Sequence, residues 1–193
     1  MTKTVLAATH NKGKIKEFTR ILEPYGISII PCDDSALLES IVEDGNTFLE
    51  NAIIKAKAVY EKYKIPVLAD DSGLCIECLD NRPGIYSARY LEKHSLEEVI
   101  REVDETKDKE RKATFFCTLV LIDKNGKCHN FTGTCEGYIG SKPKGTNGFG
   151  YDPIVYINNK SISEMTDSEK DKISHRAKAL KLLEKGITNG IDI

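Results

Sequence analysis

The sequence predicts an α/β protein built around a mixed β-sheet with flanking helices. Apolar stretches of strand length interleave with stripes of helical period, and the first 30 residues have the pattern of a β-α-β unit. An Asn125-Gly126 hairpin signal adds an antiparallel pair to a sheet that otherwise has helical crossovers. The 193 residues are expected to form one domain, residues 1–193.

Strands are predicted at residues 4–8, 27–30, 65–69, 74–79, 113–122, 128–138 and 154–157. Each is a short apolar run bounded by turn residues. Asp70-Asp71-Ser72-Gly73 separates the third and fourth runs and predicts a turn. The physical reason is that Asp and Ser side chains hydrogen-bond nearby backbone, while Gly tolerates positive φ.

Helices are predicted from residue 11 to about 24, from 47, from 95 to about 103, and over residues 163–171 and 174–186. Asn11 is a good N-cap, and Thr47-Glu50 and Ser95-Glu98 have the spacing of capping boxes. Two segments have no such pattern. Residues 33–44 are a polar stretch, and residues 104–112 carry both signs of charge, which predicts a solvated loop or a frayed helix end.

Composition and charge argue against several classes of partner. The net charge of −2 gives no overall electrostatic footprint for nucleic acid or an anionic membrane. No apolar run reaches the ~18 residues of a membrane span, and the N-terminal residues lack a signal-peptide pattern. The six cysteines lie mostly in strand-like stretches, and Cys75-Ile76-Glu77-Cys78 lacks a second metal-type pair. We therefore expect a cytoplasmic protein with reduced thiols and with no nucleic-acid or membrane partner.

A candidate phosphate-binding loop, Thr9-His10-Asn11-Lys12-Gly13-Lys14, joins the first strand to the first helix. Such a junction presents unpaired backbone N–H groups and the positive end of the helix dipole, to which two lysines add full charges. Neither a Walker A loop nor a G-x-G-x-x-G motif is present. An ordinary capped helix start explains the local pattern equally well.

The acidic residues Glu43, Asp44, Asp70 and Asp71 are candidates for a Mg²⁺ site. Mg²⁺ takes hard oxygen ligands and keeps several waters, so one or two carboxylates plus substrate phosphates suffice. Taken locally, a plain turn is the stronger interpretation of both acidic pairs.

Two further segments have the composition of a nucleotide site. Residues 145–153 combine three glycines with two aromatics, which suits close approach to a flat ligand, although a tight loop with inward-packed rings is the alternative. The second segment is Ser174-His175-Arg176, together with Lys170. Ser174 is a natural N-cap, and positive charge on the next two residues would oppose the helix dipole, which favours a bound anionic or hydrogen-bonding ligand.

These segments occur in the order found in one family. The matching segments are residues 9–14, 68–74, 83–90, 148–153 and 174–176, and the match runs from residue 4 to about residue 185. The chain resembles the Ham1/RdgB-like inosine triphosphate pyrophosphatases, also called dITP/XTP pyrophosphatases. The resemblance implies a two-lobed Maf/Ham1-like fold with a long mixed sheet, a substrate cleft between the lobes and a homodimer. It also implies hydrolysis of ITP, dITP or XTP to the monophosphate and pyrophosphate with Mg²⁺, for which Mn²⁺ is a possible substitute.

The resemblance further implies roles for individual residues. Asp71 matches the metal ligand and proton acceptor, and Glu43, or a neighbour, matches the second metal ligand. Asp70 is expected to support Asp71 or to be an occasional ligand. The implied substrate-binding residues are Thr9, His10, Asn11, Lys12, Gly13, Lys14, Lys55, Ser72, Phe149, Gly150, Tyr151, Asp152, Lys170, His175 and Arg176. His10 departs from the family pattern, which often has Gly or Asn there.

In the implied mechanism the metal stabilises charge on the leaving pyrophosphate, and a carboxylate near the α-phosphate orients or deprotonates the attacking water. The purine lies by Phe149, and His175 and Arg176 read its 6-oxo edge. Two alternatives remain open: a Maf-like pyrophosphatase acting on pyrimidine or modified nucleotides, and a nucleotide-binding module without catalysis.

Overall fold

The computed structural model describes residues 3–193. Its strands are β1 (Lys3–Ala7), β2 (Ile27–Pro31), β3 (Val67–Ile76), β4 (Arg82–Pro83), β5 (Lys112–Ile122), β6 (Cys128–Ile139), β7 (Val155–Ile157) and β8 (Lys160–Ser161). Its α-helices are α1 (Lys12–Leu22), α2 (Ser35–Ser40), α3 (Phe48–Tyr63), α4 (Ser87–Leu91), α5 (Leu96–Thr106), α6 (Asp167–Ile173) and α7 (His175–Thr188). Single 3-10 turns lie at Glu23–Tyr25, Glu77–Leu79, Gly84–Tyr86 and Ile162–Glu164.

The eight strands of the described range form one mixed sheet in the order β2-β1-β3-β5-β6-β7-β8, with β4 paired to β3. Strand β1 runs parallel to β2 and β3, whereas the β3–β4, β6–β7 and β7–β8 pairs are antiparallel. The predicted α/β class, with a mixed sheet and flanking helices, is confirmed.

The chain divides into two compact units. The first contains the chain up to Asp71 together with residues 117–133 and 176–193, and the second contains residues 72–116 and 134–175. Strands β3, β5 and β6 each contribute residues to both units.

In the first unit, helices cover both faces of the sheet. Phe18 of α1 and Leu180 of α7 pack with Leu68 of β3 on one face. On the other face, Ala56 of α3 packs with Ala69 of β3. Because successive side chains of a strand point to opposite faces, the two residues that follow, Asp70 and Asp71, must also diverge. Asp70 therefore faces α1 and α7, and Asp71 faces α3.

In the second unit, α5 packs Val99 and Val103 on Leu74 of β3. The segment at residues 83–90 is joined to the same strand through Ser87, whose Oγ accepts a hydrogen bond from Leu74 N at 2.8 Å and donates one to Gly84 O at 2.6 Å. A hydroxyl group at residue 87 can make both hydrogen bonds, which gives Ser87 a structural role in this segment.

The predicted turn at Asp70-Asp71-Ser72-Gly73 is wrong, because β3 runs through all four residues. The two predicted strands at 65–69 and 74–79 are one strand, which ends where Glu77–Leu79 forms a 3-10 turn. Asp70 and Asp71 are 1% and 8% exposed. Turn preferences assume that such side chains remain in water, whereas here cations from other elements compensate both carboxylates.

Several smaller predictions are confirmed or corrected. The Asn11 N-cap is present, as is the Ser95-Glu98 capping box, although α5 continues to Thr106. At the start of α3 only half of the predicted box forms, since Glu50 Oε2 accepts from Asn46 N instead. Helix α6 begins at Asp167 rather than at residue 163, and the polar stretch at 33–44 contains α2, which has no apolar stripe long enough to be recognised.

No helix within residues 3–193 combines the length and apolar character that a membrane crossing requires.

Candidate active site

The candidate phosphate loop, residues 9–14, follows β1 and includes the N-cap Asn11 and the first turn of α1, which begins at Lys12. Asn11 Oδ1 accepts a hydrogen bond from Lys14 N at 3.1 Å, and Thr9 Oγ1 accepts one from Asn11 N at 3.1 Å. The side chains of His10 and Lys12 are exposed. Because the first N–H groups of a helix have no intrahelical acceptor, this end of α1 can bind phosphate oxygens.

Asp70 lies in a buried cluster of charged side chains. Its Oδ1 is 2.9 Å from Lys14 Nζ, and its Oδ2 accepts a hydrogen bond from Arg176 Nη2 at 3.2 Å. Arg176 also donates from Nη1 to Glu17 Oε2 at 2.7 Å. Arg176 and Asp70 are each 1% exposed and Glu17 is 6% exposed. Two cations and two anions thus compensate each other and join β3, α1 and α7.

This cluster keeps Asp70 ionised. Burial alone would raise the pKa of its carboxyl, but the positive charges of Lys14 and Arg176 hold that pKa well below its usual range. At Cys117, whose Sγ lies 4.0 Å from Asp70 Oδ2, burial outweighs the neighbouring positive charges and raises the pKa of the thiol to about 12. Asp70 is therefore a fixed anion that holds Lys14 at the start of α1.

Asp71, on the other face of β3, shares a cation with Glu43. Lys55 Nζ lies 2.8 Å from Glu43 Oε2 and 3.8 Å from Asp71 Oδ1. Asp71 Oδ2 accepts a hydrogen bond from Asn51 Nδ2 at 3.2 Å. The two carboxylates that the sequence assigned to a metal therefore reach the same ammonium group.

The two carboxyls of the Asp-Asp pair are shifted in opposite directions. Burial raises the pKa of Asp71, and the neighbouring charges of Lys55 and Lys14 only partly offset it. Burial alone would lower the pKa of Lys55, but Asp71, Asp70 and Glu43 together raise it, so its amine stays charged. A carboxyl with a raised pKa, close to a lysine, is better suited to accept a proton than an ordinary aspartate.

The Glu43–Asp71 pair suits a divalent cation, because both residues offer hard oxygen ligands and both already contact one positive charge. Within residues 3–193 there is no group of three or more His, Cys, Asp or Glu side chains that could hold a metal. A metal at this pair would take its remaining ligands from water and substrate, which is the habit of Mg²⁺.

In the second unit, Phe149, Asp152 and Lys170 form a compact group. Asp152 Oδ2 accepts hydrogen bonds from Phe149 N at 3.0 Å and from Lys170 Nζ at 2.8 Å. The lysine amine also lies 5.1 Å from the centroid of the Phe149 ring. Asp152 and Lys170 are each 3% exposed, whereas Phe149 is only partly buried. The ion pair thus holds the loop, and the Phe149 ring remains partly exposed.

The other candidate residues of the second unit have different surroundings. Tyr151 donates its hydroxyl proton to Ser87 O at 2.9 Å and is 4% exposed, so its side chain packs inside the unit. His175 stacks on Phe115 with ring centroids 4.7 Å apart. Ser72 is partly exposed at the position of β3 that follows the aspartate pair.

Gly148 controls the conformation of this loop. Its φ is +79°, and a Cβ there would lie 2.1 Å from Asp152 Oδ2. Gly148→Ala is expected to lower the free energy of unfolding by more than the roughly 1–2 kcal/mol that a left-handed alanine costs, because Asp152 must also leave Phe149 N and Lys170. Gly26→Ala is the matched control, since Gly26 has φ +72° and nothing within 4 Å. Urea denaturation measures both variants, and equal losses would contradict the role given to Asp152.

The structure brings the predicted residues together in two groups. The first unit contains Lys14, Lys55, Glu43, Asp70, Asp71 and Arg176, with Gly13 in the first turn of α1, and the second contains Phe149, Gly150, Asp152 and Lys170. Sequence analysis missed Glu17 and Asn51. Both lie in helices, where a polar residue is normally expected to be exposed to water. The one sequence feature that could have drawn attention to Asn51 is its position directly after the Thr47-Glu50 capping pattern.

The order and geometry of these segments match a known family. A model of the Ham1 family matches residues 5–186. The chain belongs to the Ham1 family. The resemblance predicted from the five sequence segments is therefore confirmed.

Individual Ham1 relatives match over nearly their whole length. The dITP/XTP pyrophosphatase of Halalkalibacterium halodurans is 49% identical over 93% of this chain and 96% of its own length. That of Bacillus subtilis is 44% identical over 95% and 96%. Among solved structures, a HAM1 protein from Coxiella burnetii has a TM-score of 0.86 at 36% identity and covers 97% of this chain and 100% of that one. The Staphylococcus aureus Ham1 protein has a TM-score of 0.81, also at 36% identity, over 97% and 99%.

Proposed function

We propose that this protein hydrolyses ITP, dITP and XTP to the corresponding monophosphate and pyrophosphate, with Mg²⁺ as cofactor. The observation that carries the proposal is the shared cation of Glu43 and Asp71 in the same unit as the phosphate loop. Membership of a family whose relatives are named dITP/XTP pyrophosphatases supports the substrate class.

The phosphate loop and the lysines would bind the triphosphate. The start of α1 offers backbone N–H groups, and Lys14 adds a charge whose position is fixed by Asp70. Lys55 contacts Glu43 and Asp71. If Glu43 and Asp71 held a metal, the ammonium group of Lys55 would be able to bind a phosphate oxygen.

Asp71 and Glu43 would hold the metal, and the cation would supply charge stabilisation at the phosphate oxygens. Glu43 is favoured over Asp44 because Glu43 contacts Lys55, whereas Asp44 is exposed. Mn²⁺ can use the same oxygen ligands. Asp71 would orient the attacking water and accept its proton.

Phe149 would stack on the purine, with Lys170 and Asp152 fixing the ring. His175, at the start of α7, would read the 6-oxo edge. The guanidinium of Arg176 is bound to Asp70 and Glu17, so we assign its contribution to fixing the start of α7. Donors arranged for a 6-oxo group are left unpaired by the 6-amino group of adenine, which penalises ATP.

Removal of the metal tests this proposal. With ITP as substrate, the products are expected to be IMP and pyrophosphate, and EDTA is expected to abolish turnover until Mg²⁺ is restored. Ion-exchange chromatography of the products identifies the cleaved bond. Release of orthophosphate, or turnover that persists in EDTA, would contradict the proposal. Nucleotide-induced stabilisation without any turnover would support the non-catalytic binding module instead.

We also propose that the protein is cytoplasmic and forms a homodimer, and that nucleic acid and membranes are not its partners. The six cysteines form no disulfide within the described residues, which agrees with a reducing compartment. Light scattering coupled to size-exclusion chromatography tests the dimer against the chain mass of 21.5 kDa.

A further inference from the structure

Asn51 lies between the two proposed metal ligands. Its Nδ2 donates to Asp71 Oδ2 at 3.2 Å, and its Oδ1 accepts from Gly45 N at 2.9 Å. Gly45 follows Glu43 by two residues, so one side chain joins Asp71 to the loop that carries Glu43. Asn51 is 3% exposed.

The chemistry of these contacts requires a carboxamide. An ionised carboxylate such as Asp71 can only accept a hydrogen bond, and the Gly45 N–H can only donate one. An amide offers a donor and an acceptor on one rigid plane, so both partners fix its orientation. An aspartate at this position would keep the acceptor but lose the donor, and an alanine would lose both.

The loop that carries Glu43 is pressed against the start of α3. A Cβ at Gly45 would lie 2.7 Å from Glu50 Cβ and 2.8 Å from Asn51 Oδ1. Glu50 Oε2 also accepts a hydrogen bond from Asn46 N at 2.6 Å. The loop is therefore fixed by hydrogen bonds at two consecutive residues, Gly45 and Asn46, and at Gly45 it is packed closely against the helix.

Lys55 is four residues after Asn51 on the same helix, and residues spaced by four share a face. Helix α3 thus directs an amide and an ammonium toward the same pair of carboxylates. Lys55 contacts both carboxylates, whereas Asn51 contacts one of them and the loop of the other. Two side chains of α3 therefore determine how Glu43 and Asp71 are placed relative to each other.

We propose that Asn51 is a positioning residue for metal binding: it fixes the Glu43 loop and Asp71 relative to each other so that both carboxylates reach one cation. This inference rests on the metal site proposed above. Without Asn51 the folded chain would keep both ligands, but the Glu43 loop and Asp71 would lose conformational freedom when a metal binds, and this would lower the affinity.

Direct metal binding tests the inference without relying on turnover. Electron paramagnetic resonance of Mn²⁺ titrated into the full chain, without nucleotide, measures the affinity. Asn51→Ala is expected to bind Mn²⁺ roughly 10–100-fold more weakly than the unaltered chain, the range found when supporting contacts of metal ligands are lost. Val59→Ala is the matched control, because Val59 is fully buried on α3 but two turns further along. It should lower thermal stability without weakening Mn²⁺ binding.

A double-mutant cycle separates positioning from a general loss of structure. In a Glu43→Gln background, Asn51→Ala is expected to weaken Mn²⁺ binding by less than it does alone, because one of the positioned ligands is already lost. Gly45→Ala provides a second approach that keeps the Asn51 side chain, since the added Cβ would lie 2.8 Å from Asn51 Oδ1 and must disturb the contact between the loop and this amide. It too should weaken binding, and less so in the Glu43→Gln background.

The possible outcomes distinguish the inference from the function on which it rests. If the unaltered chain binds Mn²⁺ through Glu43 and Asp71 but Asn51→Ala binds it equally well, the positioning role is overturned and the metal site stands. Full additivity in the cycle also overturns it. If the unaltered chain binds no Mn²⁺, or binds it independently of Glu43 and Asp71, the proposed metal site fails, and the inference fails with it.

Discussion

The variant Asp71→Asn is expected to lower kcat for ITP by a factor of about 10²–10⁴, the range that a positioned general base contributes. Asn is nearly isosteric with Asp and can still accept the hydrogen bond from Asn51. In the proposed mechanism it could neither take the proton of the attacking water nor provide a full negative charge for the metal. The measurement is steady-state release of pyrophosphate at saturating Mg²⁺.

The same substitution is expected to leave the free energy of unfolding unchanged or slightly higher in EDTA. Burial raises the pKa of Asp71, so the ionised form is less favourable in the folded protein than in the unfolded chain. A neutral side chain removes that penalty at neutral pH. Asp33→Asn, at an exposed aspartate of the same unit, serves as the control for activity. Near-normal kcat in Asp71→Asn would remove Asp71 from the mechanism.

The neighbouring variant, Asp70→Asn, is expected to be destabilised by about 3–5 kcal/mol at neutral pH, because it breaks a buried ion pair and leaves its partners uncompensated. Lys14 would lose its ion pair with this carboxylate, and Arg176 would keep the one with Glu17. Urea denaturation followed by circular dichroism measures the loss.

The pH dependence of this loss follows from the sign of the pKa shift. The pKa of Asp70 is lower in the folded protein than in the unfolded chain, where it is near 3.9. Its contribution to stability is therefore complete above about pH 4 and is lost as the pH falls toward the folded-state value. The difference between the unaltered chain and Asp70→Asn should accordingly be constant at neutral pH and shrink below about pH 4.

The exposed ion pair of Lys124 and Asp192 provides a matched control. Nζ and Oδ2 are 2.6 Å apart, but the side chains are 52% and 51% exposed, so Asp192→Asn should cost less than about 1 kcal/mol. A loss in Asp70→Asn as small as this, or one that does not change with pH, would contradict the buried-cluster account.

Two adjacent aspartates thus have opposite expected effects, and the reason is the pleat of β3. Leu68 and Asp70 share the face covered by α1 and α7, whereas Ala69 and Asp71 share the face covered by α3. One carboxylate meets a lysine and an arginine that hold it permanently ionised, and the other meets one shared lysine and an amide.

The sequence predicted most of the fold because its signals are local. The Asn11 cap, the Ser95-Glu98 capping box and the Asn125-Gly126 hairpin each act within a few residues, and each is present. The strand through Asp70 and Asp71 was not predictable in this way. Its cations come from α1, α3 and α7, more than ten residues distant in the chain, and local turn preferences contain no information about them.

The candidate site shows the same limit. The residues with a recognisable family pattern were found from the sequence, and their roles as ligands remain predictions. Glu17 and Asn51 were not found, because their importance depends on partners brought close by the fold: Arg176 lies 159 residues after Glu17, and Asp71 lies 20 residues after Asn51. A helical glutamate and a helical asparagine carry no signal of such contacts in their own neighbourhood.

The proposed hydrolysis of ITP and XTP can be measured with a steady-state panel of ITP, XTP, GTP, ATP and pyrimidine triphosphates, with Mg²⁺ and detection of pyrophosphate. We expect kcat/KM for ITP and XTP to exceed that for ATP by about 10²-fold or more, because the donors that meet a 6-oxo group are unpaired against a 6-amino group. Equal turnover of ATP, a preference for pyrimidine nucleotides, or no release of pyrophosphate from ITP would contradict it.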